Sequence, residues 1–145
     1  TGALWLSLYL LLTLAPLALV LLVPGESRPG RGFWVEFSVA LGFVGLAMMT
    51  LQFVLTARFE WLKAPFGSDV IYAFHRQISI VSIVLILAHP LILLFVRPDD
   101  MLRRLNPLTA PAPARFALLA TFCLVALAVV SIFRKQLGIG YDWWR

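Results

Sequence analysis

Four long apolar runs separated by short polar stretches make up most of the chain: roughly Ala3–Val23, Phe33–Thr56, Gln77–Val96 and Ala114–Phe133. Each is about 20 residues or longer, the length a helix needs to cross a hydrocarbon core about 30 Å thick. Inside lipid no water satisfies open backbone groups, so such runs must be helices. The pattern predicts an all-α integral membrane protein with four transmembrane helices in a single domain over residues 1–145. The spans are set at about 3–23, 33–56, 69–96 and 114–134.

The connections carry their own signals. Pro16 removes a backbone donor inside the first span and is expected to kink it. The first run is too long for a signal-peptide core and has no positive stretch ahead of it, so it counts as a span. GESRPGRG is a turn-rich link to the second span, where Gly42 and Gly45, with Ala40 and Ala47, mark close helix packing. Gln52 is the one strongly polar side chain near the far end of that span, read as packing ahead of support for a site. The ARFEWLKAPFG segment, with Phe59, Trp61 and Phe66 among its charges, suits the headgroup region. Ser68-Asp69 offers an N-cap for the third span. The polar link RPDDMLRRLNPLTAPAP holds one or two helical turns at Asp99–Leu105, and Tyr141, Trp143 and Trp144 form an aromatic belt after the fourth span.

Composition agrees with the pattern: 61% of the 145 residues are hydrophobic and 13% charged, with a mean hydropathy of +0.93. A soluble domain carries about twice that charged fraction. The net charge of +5 would raise nucleic-acid binding in a soluble protein; between spans, basic residues anchor the chain at the bilayer surface, and no nucleic-acid partner is expected. Ten of the twelve basic residues are arginine, a bias that points to a GC-rich bacterial source and no more; the expected location is the cell membrane, as a multi-pass protein of a bacterial inner membrane. Charge does not orient the chain. Arg58, Lys63, Arg76, Arg134, Lys135 and Arg145 fall on one side, and Arg28, Arg31, Arg97, Arg103, Arg104 and Arg115 on the other. The first residue is Thr1 and the last two are Trp144-Arg145, inside an aromatic cluster, so the chain is expected to be a piece of a longer protein.

The candidate chemistry lies on the third span, SDVIYAFHRQISIVSIVLILAHPLILLFVRP, which carries the only two histidines, His75 and His89. At about 1.5 Å and 100° per residue, the fourteen residues between them give about 21 Å of axial separation and only about 40° of azimuth. Both rings leave one face, with Ser79 and Ser82 between them, small enough for something flat and bulky to lie near the backbone. A polar ring inside a span is costly without a partner. The plainer reading puts His75 in interfacial water and has His89 serve the carbonyl that Pro90 leaves open. Two rings on one face about four turns apart favour a cofactor instead. They are too far apart to share one metal, whose bonds to nitrogen are about 2 Å. Met48, Met49 and Cys123 are explained by apolar packing. Two haems, each held by one of these histidines and one from a span not present, account for the pair most simply.

The third span, with HR at its start and HP fourteen residues on, resembles the ferric reductase-like transmembrane domain shared by ferric reductases and NADPH oxidases. The tail SIFRKQLGIGYDWWR is similar to that family's link from the fourth helix to the fifth. The resemblance implies a partial six-helix haem-binding bundle, with two b-type haems held by histidine pairs on the third and fifth spans. It also implies electrons supplied by NAD(P)H through FAD in a cytosolic domain after the sixth. Those last two spans and that domain are absent, and no GxGxxG fingerprint occurs here. On that resemblance the C-terminus and the loop around Trp61 face the cytosol, His75 holds the inner haem and His89 the outer. Arg76 either pairs with haem propionates or snorkels to the interface; for Arg97, Arg103 and Arg104 a solvated juxtamembrane role is favoured over holding outer propionates or steering an acceptor. The expected function is transmembrane electron transfer to an acceptor on the opposite side. One alternative is a haem subunit feeding a periplasmic reductase from quinone or flavin. Another is a non-redox helical membrane protein, in which the histidines handle protons or pack.

Overall fold

A computed structural model describes residues 2–22, 32–56, 67–133 and 136–138. Every element there is helical: α1 Gly2–Leu22, α2 Phe33–Thr56, α3 Gly67–Val96, α4 Pro98–Leu105 and α5 Ala112–Phe133. Four of them, α1, α2, α3 and α5, are long and apolar enough to cross a membrane. Together they make an all-α, multi-pass membrane protein. The readings of the GESRPGR link, of Phe59, Trp61 and Phe66, and of the Tyr141–Trp144 belt lie outside the described residues.

Helix ends follow local chemistry. Gly32, with φ of 83°, precedes α2, and its carbonyl accepts the amides of Val35 and Glu36. Glu36 and Asp69 place acidic groups in the first turns of α2 and α3, where the helix dipole favours them. α3 starts at Gly67, φ 74°, a residue ahead of the expected cap at Ser68. Neither Pro16 nor Pro90 ends its helix; α1 and α3 run through them. A proline costs one backbone hydrogen bond, and neighbouring helices in a membrane make that tolerable.

The chain divides into two compact units, residues 1–98 and 99–145. In the second, α4 has Pro98 at its start, Asp99 and Asp100 in its first turn and Arg103 and Arg104 in its last, an order that matches the helix dipole at both ends. Asn106 closes the turn that follows: its side-chain oxygen accepts the Leu108 amide, and its carbonyl accepts those of Thr109 and Ala110. Arg115, in the first turn of α5, donates from Nε to the Ala110 carbonyl at 2.7 Å. Cys123 is exposed on α5, on a helix with no buried residue.

In the first unit α2 packs along α3, and α1 packs on α2. Small residues set the α2–α3 distance. A Cβ at Gly45 would stand 2.9 Å from Ile86 Cγ1, 3.1 Å from the Ile86 backbone nitrogen and 3.1 Å from Leu85 Cβ. Only glycine permits that approach, so the packing read from Gly42 and Gly45 holds. On α1, Tyr9 meets Phe74 of α3 edge to face at 5.3 Å. Tyr9 Oη and Thr13 Oγ1, one turn apart on α1, are both buried, and each is the other's polar neighbour. By contrast Thr50 and Thr121 bond back to the carbonyls of Leu46 and Ala117.

Candidate functional site

The two histidines lie on one unbroken helix, α3, and α2 grips both. His89 Nδ1 lies 2.8 Å from the backbone carbonyl of Ser38. A carbonyl only accepts, so Nδ1 carries the proton and donates it. The Ser38 hydroxyl lies 3.4 Å from the same nitrogen while donating to the Val35 carbonyl. At the other end, His75 Nδ1 donates to Gln52 Oε1 at 2.5 Å. Ser38 pairs with His89 and Gln52 with His75, so α2 and α3 run antiparallel, with partners fourteen residues apart on each.

The register has a simple origin in the sequence. Ser38, Gly45 and Gln52 recur every seven residues on α2, as His75, Ser82 and His89 do on α3. A seven-residue repeat keeps one face of each helix towards its neighbour when the two cross at a shallow angle. Every position in the α2 series is buried: Ser38 is 0% and Gln52 6% exposed, and Gly45 is buried between them. Gly42 completes the cradle. A Cβ there would stand 3.2 Å from His89 Cγ and 3.4 Å from its Nδ1, so the missing side chain is what lets the imidazole lie against α2.

Both rings thus have Nδ1 committed to α2. Among the described residues no group bonds to Nε2 of either. With the proton on Nδ1, Nε2 keeps its lone pair and is the nitrogen available to a metal. His89 does not serve its own backbone beside Pro90, as the plainer reading had it; it reaches across to Ser38. Gln52, read from the sequence as packing first, holds a histidine.

The remaining sequence candidates divide. Ser82 is wholly buried, its hydroxyl donating to the Ser79 carbonyl at 3.0 Å, and Ser79 is half-buried. Arg76 is exposed beside His75, and Arg97, Arg103 and Arg104 are exposed beyond the other end of α3. Ser38 is a site residue the sequence reading missed. Its signal was available: it precedes Gln52 by the same fourteen residues that separate the histidines.

Residues 41–145 match the family of ferric reductase-like transmembrane components. The chain belongs to that family. The match begins within α2 and takes in Gly42, Gly45, Gln52 and both histidines, leaving α1 and Ser38 ahead of it. Comparison with curated proteins and with solved structures gives no match. A ferric reductase-like transmembrane component is the membrane part of an oxidoreductase, a family associated with haem and flavin redox partners. The donor set fits haem: two imidazoles on one helix face, each with Nδ1 held by α2 and Nε2 unengaged among the described residues. Among the described residues no cluster of three or more His, Cys, Asp or Glu occurs.

Proposed function

We propose that this chain carries electrons across the bilayer as the membrane part of a haem and flavin oxidoreductase, with His75 and His89 as axial ligands of two b-type haems. When bound, haem supplies one-electron acceptance and donation at iron. The protein supplies the rest. α3 fixes the two ligand nitrogens about 21 Å apart along one face. The Ser38 carbonyl, Gly42 and Gln52 of α2 set the rotation and tautomer of each ring. Apolar helices exclude water from the path.

In this reading the second ligand of each iron comes from histidines on further spans, and NAD(P)H and FAD occupy a cytosolic domain of the same protein. His75 serves the inner centre and His89 the outer, in a bacterial inner membrane. Arg76, exposed one residue past His75, pairs with a propionate in this reading. Ser79 and Ser82 keep the face between the ligands thin.

The observation that carries this proposal is the shared treatment of the two rings: both on one helix, both turned by α2, both with Nδ1 engaged and Nε2 available. The purified intact protein is expected to show the absorption bands of low-spin haem b at two haems per chain. Membranes containing it should oxidise NADH or NADPH in a flavin-dependent way. A colourless protein would end the proposal; a haem protein indifferent to both nucleotides would favour supply from quinone or a separate flavoprotein.

A further inference from the structure

The two imidazoles are held by acceptors of different kinds. The Ser38 carbonyl belongs to the interior of α2, where the helical ladder already directs the amide four residues on towards it. The His89 Nδ1–H is also divided, with the Ser38 hydroxyl 3.4 Å away as a second neighbour. His75 instead donates to a side-chain amide oxygen that stands outside any helical ladder. Gln52 is 6% exposed, so bulk water does not compete for that bond. A ligand histidine whose far N–H donates more strongly is a more basic ligand, and a more basic ligand favours the ferric state.

Resting on the haem assignment above, we propose that Gln52 is a positioning residue that fixes the His75 tautomer and gives the His75 centre the lower reduction potential of the pair. Electrons entering at that end then run downhill towards His89. Only this anchor can be altered by substitution, because the one at His89 is main chain.

The test uses two readouts. In haem-free intact protein labelled with 15N-histidine, His75 should appear as the Nδ1–H tautomer. Gln52→Leu should remove that preference at His75 and leave His89 unchanged, and Gln52→Glu, which keeps an acceptor, should retain it. In the haem-loaded protein, a spectroelectrochemical titration should resolve two potentials. Gln52→Leu should raise the lower one and leave the upper in place, while Gln52→Glu should hold it at or below its starting value. An unchanged His75 tautomer in Gln52→Leu, or equal shifts in both potentials, would overturn the proposal. If Gln52→Leu does not fold, the tautomer of the unmodified protein and the sign of the Gln52→Glu shift decide it. Absence of haem would sink the functional reading and with it the potential difference; the tautomer measurement separately decides whether Gln52 holds His75.

Discussion

Gly45→Leu is expected to disable both histidines at once, although it touches neither. The glycine lies midway between Ser38 and Gln52, on the face of α2 that meets Leu85 and Ile86 of α3. A Cβ at this point meets Ile86 Cγ1 at 2.9 Å, which a rotamer change could relieve, but also the Ile86 backbone nitrogen at 3.1 Å. The backbone cannot step aside, so α2 must move. Overpacking of this kind costs about 1–3 kcal/mol, and a leucine adds three more carbons to the clash. Moving α2 away stretches the bonds to His75 and His89 together, because both anchors ride on the same helix. Gly42→Ala sets the contrast. Its Cβ would meet only the His89 ring, at 3.2 Å and 3.4 Å, so the effect should stay at that end. Haem content and thermal inactivation of the intact protein are the measurements. Gly45→Leu should lower both haems and the inactivation temperature; Gly42→Ala should weaken the His89 centre alone. A Gly45→Leu protein as stable as its parent would mean that α2 and α3 do not pack this closely.

The contrast between those glycines also shows how far the sequence could be read. Four apolar runs of membrane length admit one solution, so the spans and the all-α class were legible without any contact. The histidine face was legible too, since helical geometry alone places residues 75 and 89 on one side. What periodicity could not give was the neighbour. Gly42 and Gly45 marked a packing face on α2 but not which helix lies against it, because lipid and protein interior are equally apolar. Gln52 was therefore visible as an oddity but not as a partner, and Ser38 was not visible at all, since its bond to His89 runs through a main-chain carbonyl that any residue would supply. The mark left in the sequence was positional: two sevenfold series, Ser38–Gly45–Gln52 and His75–Ser82–His89, of equal length and opposite sense. Recognising it requires knowing beforehand that the helices are antiparallel neighbours.

His75→Ala and His89→Ala are expected to remove one haem each and spare the other, which is the largest effect any single substitution should have on this protein. The reason is distance. About 21 Å of helix separates the two histidines, while an iron–nitrogen bond is on the order of 2 Å, as for other first-row metals, so on the haem proposal neither ring could substitute for the other. Each variant would then lose the residue of this chain that holds one of the two groups. The α2 anchors respond differently in the two variants. His75→Ala removes the proton donor that Gln52 Oε1 meets inside the helix pair, which should appear as lower thermal stability. His89→Ala leaves the Ser38 carbonyl still served by its own helix, so stability should fall less even though the loss of haem is equal. Haem stoichiometry by pyridine haemochromogen, together with the melting temperature of the haem-free protein, separates the two effects. Retention of both haems in either variant would remove that histidine from the ligand set. Equal stability losses in the two haem-free variants would mean that the anchors are alike, and the asymmetry argued for Gln52 would have no structural basis.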